Sequence, residues 1–76
     1  MGAVARQITP DDARKLLVDR YGQMVKSNRR DLYGSVSRAI GVAAKELVAE
    51  RLLPPDMAEA AVREATAFIA RGERSR

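Results

Sequence analysis

The feature that most constrains the fold is the stretch over residues 28–53, NRRDLYGSVSRAIGVAAKELVAERLL, which is the longest run that keeps one helical period. At 100° per residue, its apolar side chains gather on one broad face. That face comprises Leu32, Tyr33, Val36, Ile40, Ala43, Ala44 and Leu47. The pattern predicts one continuous helix over residues 28–53, with shorter helices on either side folded against it.

The segment before this stretch carries a helix start signal. Thr9 can cap a helix, Pro10 suits the first helical position, and Asp12 completes a Thr-x-x-Asp capping box. The apolar period continues past Gly22, so we expect a first helix over residues 10–26. A break then follows, where Ser27 or Asn28 can cap the next helix.

The segment after the stretch begins with two prolines, Pro54 and Pro55, which cannot continue a helix, although Pro55 can start one. A third helix is predicted over residues 55–71, with Gly72 as its C-terminal cap. Its apolar residues fall within one arc: Met57, Ala58, Ala61, Val62, Ala65, Phe68 and Ile69. The fold class predicted from these three segments is all-α, a small three-helix bundle with a long central helix.

We expect a flexible N-terminal arm over residues 1–8, a single helical domain over residues 9–72 and a disordered tail over residues 73–76. Val4, Arg6 and Ile8 alternate with smaller or polar residues, a pattern that is typical of a short strand. A strand followed by two helices resembles the ribbon-helix-helix DNA-binding proteins, whose arm pairs across a dimer and enters the major groove. The predicted first helix is longer than theirs, which favours a loose or packed arm.

The amino-acid composition excludes most of the common catalytic mechanisms. The chain of 76 residues contains no cysteine and no histidine, which excludes disulfides and the usual zinc sites. The common general base and the common thiol nucleophile are therefore both absent. No glycine-rich phosphate-binding motif is present. We expect a non-catalytic binding module with no catalytic residues, no metal and no cofactor.

The net charge is +4 and the sequence pI is about 10.1. Such a balance favours acidic partners such as phosphate backbones. The competing interpretation is a compositional bias toward alanine and arginine. No run approaches the ~20 apolar residues that cross a bilayer, and the first residues do not read as a secretory signal. We therefore expect a cytoplasmic protein with no membrane partner.

The side of the central stretch that lies opposite its apolar face has no large apolar side chain. It is made of Arg30, Gly34, Ser37, Arg38, Gly41 and Lys45. The first hypothesis is contact with the backbone of DNA or RNA, because the glycines would let a phosphate chain come close to the cations. The candidate phosphate-binding residues are Arg20, Lys26, Arg29, Arg30, Arg38 and Lys45.

The second hypothesis is a protein interface on the same stretch. Small residues recur at intervals of three and four, which lets a second helix cross at short range. They are Gly34, Ser37, Gly41, Ala44 and Val48. The partner would be a second copy in a homo-oligomer, or another protein if the chain is an adaptor or antitoxin-like subunit. Alternatively, a helix of the same chain fills this groove.

Overall fold

The computed structural model describes residues 8–74, and the side chains of residues 8–72. In chain order the elements are helix α1 (Pro10–Lys26), a 3-10 turn (Arg30–Tyr33), helix α2 (Val36–Ala49) and helix α3 (Pro55–Arg74). Each helix packs against the other two, and residues 8–74 contain no strand. The prediction of an all-α three-helix bundle is confirmed.

Helix α1 begins as its sequence signal predicts. The side chain of Thr9 accepts a hydrogen bond from the Asp12 amide at 3.1 Å, and Pro10 occupies the first turn. The helix ends at Lys26, and Asn28, two residues later, has a left-handed φ of 63°, while the Arg29 amide donates to the Met24 carbonyl at 2.8 Å. Asn28 therefore closes α1 and does not cap the next helix, since asparagine tolerates this conformation at a helix C-terminus.

The predicted continuous helix over residues 28–53 is wrong. Gly34 has a φ of 82°, which no α-helix contains, and it separates the 3-10 turn from α2. Ser35 then caps α2, because its side chain accepts a hydrogen bond from the Arg38 amide at 3.3 Å. With 14 residues, α2 is the shortest of the three helices, not a long central one.

Helix α2 is followed by the same kind of left-handed turn as α1. Arg51 has a φ of 63°, and the Leu52 amide donates to the Leu47 carbonyl at 2.9 Å. This turn directs Leu53 into the core, where it is buried, although the sequence pattern had placed it off the main apolar face.

Helix α3 begins at Pro55, as predicted, but it continues to Arg74. Gly72 is therefore inside the helix and does not cap it. The predicted tail falls partly within α3, and its last two residues, 75 and 76, lie outside the described residues. Residues 1–7 of the predicted arm also lie outside them, whereas Ile8 packs partly buried against the core.

The core contains twelve buried apolar residues, of which six are alanine. They are Ala13, Leu17, Tyr21, Met24, Ala39, Ile40, Ala43, Ala44, Leu47, Leu53, Ala61 and Ala65. Two side chains that the helical pattern placed on apolar faces, Leu32 and Phe68, are exposed, and so is Val25 of α1. Leu32 is exposed because the 3-10 turn has a different period and direction from the predicted helix.

Candidate functional site

Two of the candidate phosphate-binding cations are held by carboxylates of α2 and its C-terminal cap. Arg20 on α1 makes a bidentate ion pair with Glu50, with nitrogen–oxygen distances of 2.7 and 2.9 Å. It makes a further contact to Glu46 at 3.1 Å. Arg29 reaches the second oxygen of Glu46 at 2.7 Å. The set Arg20, Arg29, Glu46 and Glu50, called here the ion-pair network, is electrically balanced and joins α1 and the connection after it to α2.

The ion-pair network also changes the titration of its members. The hydrogen bond from Arg29, followed by that from Arg20, holds the pKa of Glu46 below its ordinary value. The hydrogen bonds from Arg20 lower the pKa of Glu50 and in return raise the pKa of Arg20. These carboxylates therefore remain charged to a lower pH than an ordinary glutamate, and the charges of Arg20 and Arg29 are largely compensated within the fold.

Arg30 also has partners within the fold. Its Nε donates a hydrogen bond to the Tyr21 hydroxyl at 3.0 Å, which ties the 3-10 turn to α1. The Arg29 guanidinium lies 3.4 Å from the Tyr33 hydroxyl, to which it donates. The connection between α1 and α2 is therefore held by side chains at both of its arginines.

The remaining candidate cations, Lys26, Arg38 and Lys45, are exposed, and they make no ion pair within the described part of the chain. Arg38 and Lys45 are seven residues apart on α2, which places them on nearly the same line, about 10 Å from each other along the axis. The structure thus brings these two together on the outer side of α2.

The five small residues of the second hypothesis do not form one continuous stripe. Gly34 precedes α2, Ala44 is buried in the core, and Val48 packs partly against it. Ser37 is exposed, and a methyl group added at Gly41 would meet no other atom within 4 Å. No helix of the described chain therefore crosses α2 closely at Gly41. We define the outer face of α2 as Ser37, Arg38, Gly41, Lys45 and Ala49.

A shallow apolar groove lies beside this outer face, between the C-terminal half of α2 and the start of α3. Its volume is about 370 Å³, and its wall consists of Ala44, Lys45, Val48, Ala49, Pro55 and Ala58. Lys45 is the sole charged residue of this wall. The α2–α3 groove is therefore apolar with a cation at its edge.

A second groove, of about 170 Å³, lies between the starts of α1 and α3. It has two carboxylates, Asp56 and Glu64, among apolar neighbours that include Pro10 and Met57. No group of three or more potential metal ligands is found in the described part of the chain. None of the helices, searched over the described residues, has the length and hydropathy needed to cross a membrane.

One segment of the sequence, residues 26–45, carries the net charge of the chain. Residues 26–45 contain one acid, Asp31, and five cations, which are Lys26, Arg29, Arg30, Arg38 and Lys45. The net charge of this segment therefore equals the +4 of the whole chain, and the remaining residues balance. A sum over the whole chain does not reveal this asymmetry.

Comparison with protein-family models, with curated proteins and with solved structures gave no match for this chain. The geometry is therefore the basis for assigning a function. The ion-pair network had no sequence signal, because each arginine lies 17 to 30 residues from the carboxylates with which it pairs. Of the wall residues of the α2–α3 groove, the small-residue pattern in the sequence included only Ala44 and Val48.

Proposed function

We propose that the protein is a non-catalytic, basic helical module that binds the phosphate backbone of DNA or RNA through the outer face of α2. It would act as a regulatory or accessory protein in the cytoplasm, as a homo-oligomer. Arg38 and Lys45 are the central contacts, and Lys26 is a third. Arg20, Arg29 and Arg30 contribute mainly by holding the connection that precedes α2.

One observation carries this proposal: two exposed cations, free of ion pairs within the described chain, lie on one line of α2 with Gly41 between them. A phosphate chain can approach such a surface closely, since no side chain projects at the glycine. The outer face has no acid, so nothing on it repels a polyanion. No set of asparagine or glutamine side chains accompanies these cations, so we expect affinity without strong base preference.

Fluorescence anisotropy with labelled duplex and single-stranded oligonucleotides tests the proposal. With three phosphates engaged, the logarithm of the duplex binding constant should fall against the logarithm of salt with a slope of about −2.7, at about −0.9 per phosphate. Replacing Arg38 with glutamine should reduce the slope by about one phosphate equivalent.

The matched control is Arg63→Gln, which removes an exposed cation from α3 that has no ion pair within the described chain. It should leave affinity and slope nearly unchanged. Absence of binding at low salt, or binding that does not respond to salt, contradicts the proposal. Equal losses of oligonucleotide affinity for Arg38→Gln and Arg63→Gln would show that binding depends on the net charge of the protein and not on the outer face of α2.

A protein-interaction subunit, either an adaptor or antitoxin-like, is the second candidate. It is supported by the apolar α2–α3 groove, whose wall includes Ala44 and Val48. The substitution Gly41→Leu separates the two candidates, because a leucine blocks close approach to α2 at a position where an added Cβ would meet no other atom within 4 Å. Loss of oligonucleotide binding favours the first candidate, and loss of self-association with retained oligonucleotide binding favours the second.

A further inference from the structure

The connection between α1 and α2 presents an apolar side chain to solvent. Leu32 is 75% exposed, the largest exposed fraction among the exposed large apolar residues of the described chain. It belongs to the 3-10 turn, and the exposed carboxylate of Asp31 precedes it. Asp31 makes no ion pair within the described part of the chain. Leu32 and Asp31 together form what we call the leucine knob.

The leucine knob is held in place from several directions. The Arg29 amide donates to Met24, the Arg29 side chain reaches Glu46 at 2.7 Å, and the Leu32 amide donates to the Arg29 carbonyl at 3.1 Å. Arg30 is tied to Tyr21 on α1. Because the backbone of this turn is already fixed, little backbone freedom is lost when Leu32 binds, which favours affinity.

The α2–α3 groove is large enough for the leucine knob and complementary to it in charge. Removal of a buried leucine side chain from a protein core leaves about 150 Å³, so a groove of about 370 Å³ has room for a leucine side chain and for a neighbouring one. The wall of the groove is apolar except for Lys45, which is opposite in charge to Asp31. The knob does not fill the groove of its own chain, because Leu32 is exposed.

The knob and the groove are complementary surfaces of one chain, which makes a second copy of the chain the partner to consider. Symmetric pairing of two outer faces of α2 would bring Arg38 and Lys45 of one copy close to the same cations of the other, which is unfavourable. A core in which half of the buried residues are alanine also leaves a short chain with little apolar burial of its own, a common situation for oligomers.

We propose that Leu32 of one copy inserts into the α2–α3 groove of a second copy, with Asp31 beside Lys45 of the partner subunit. The inference rests on the proposed self-association and not on nucleic-acid binding. Knob and groove are different surfaces, so reciprocal insertion closes a dimer, whereas one-way insertion continues to larger assemblies.

Sedimentation velocity of the full chain, after nuclease treatment and over a range of concentrations, tests this interface. The wild-type protein should self-associate, and Leu32→Ala should weaken association about tenfold or more, because the buried apolar side chain is lost. The control is Leu52→Ala, which truncates another exposed leucine and should leave association unchanged. Circular dichroism verifies that each variant is folded.

A charge exchange provides a second, independent readout. Asp31→Lys and Lys45→Asp should each weaken association by about threefold to tenfold, and the double variant should recover most of the loss. Asp56→Lys reverses an exposed acid of the other groove and serves as the control. The proposal is overturned by a monomeric wild type, by equal effects of the Leu32 and Leu52 variants, or by no recovery in the double variant.

Oligonucleotide titrations of the same variants separate this inference from the proposed function. Asp31→Lys should self-associate more weakly while it keeps or strengthens binding to duplex DNA, because it removes an acid from the basic segment. A wild type that self-associates through the knob but binds no oligonucleotide would contradict the nucleic-acid proposal alone. A monomeric wild type that binds oligonucleotides with the expected salt slope would contradict the knob alone.

Discussion

At the scale of single residues, the chain changes direction at left-handed backbone positions. Asn28 and Arg51 close α1 and α2, and Gly34 separates the 3-10 turn from α2. Asparagine tolerates this conformation, while an arginine pays a steric cost for its Cβ. The position of Gly34 decides where α2 begins and therefore how the leucine knob is presented.

Replacing Gly34 with alanine should destabilise the protein by about 1–2 kcal/mol, since its φ of 82° is strained for any L side chain. Gly41→Ala is the matched control, because it lies within α2 and an added methyl group would meet nothing. That control should stabilise the protein by about 0.5–1 kcal/mol. Urea unfolding followed by circular dichroism measures both changes, and equal signs for the two variants would contradict this account.

At the scale of elements, the ion-pair network connects α1, the connection after it and α2. Single exposed ion pairs contribute little, but here two arginines share two carboxylates, and of the four side chains only Glu50 is at an exposed position. Because the pKa values of Glu46 and Glu50 are lowered in the folded state, the network stabilises the fold above their ordinary values. That contribution is lost as the pH falls through the lowered folded-state pKa values.

The variant Glu46→Gln/Glu50→Gln should therefore lose stability less steeply than the wild type as the pH falls below the ordinary pKa of a glutamate. Near neutral pH it should be less stable than the wild type, because Arg20 and Arg29 lose their carboxylate partners. The measurement is the urea midpoint at a series of pH values. Glu59→Gln, on the exposed side of α3, is the control and should follow the wild-type curve. Parallel curves for the double variant and the wild type would exclude a role of the network in acid stability.

At the scale of the whole molecule, few large side chains support the fold. The largest fully buried side chains are Leu17, Met24, Ile40, Leu47 and Leu53, and alanines fill most of the remaining core. Alanine lets the helices approach closely but buries little apolar area per residue. A chain of 76 residues has a total stability of only about 4–11 kcal/mol at the usual value per residue.

Leu17→Ala should consequently cost about 2–5 kcal/mol and leave the variant close to unfolding at room temperature. Its side chain is fully buried, whereas the control Leu52→Ala truncates a half-exposed leucine and should cost well under 1 kcal/mol. Chemical unfolding at low protein concentration measures both, so that self-association does not contribute. A loss below 1 kcal/mol for Leu17→Ala would contradict the description of the core.

The sequence by itself determined the elements whose signals are local. A three-helix bundle was predicted from the cap at Thr9, the helix start at Pro55, the continuation of α1 through Gly22 and the apolar period of each helix. These signals involve residues within one or two helical turns of each other, which is the range of helix propensity and capping. Gly34 followed by Ser35 was also a local break signal, but the apolar period through Leu32 and Val36 concealed it.

Only the tertiary structure decided which cations face solvent and which apolar side chains remain exposed. Arg20 and Arg29 match Lys26 and Arg38 in charge, yet carboxylates distant in sequence hold the first two and not the second two. Leu32 and Leu47 share one face of an ideal helix, yet a turn at Gly34 exposes the first and leaves the second buried. The physical reason is that ion pairing and burial depend on how segments distant in sequence are arranged in space. Helical periodicity contains no information on that arrangement.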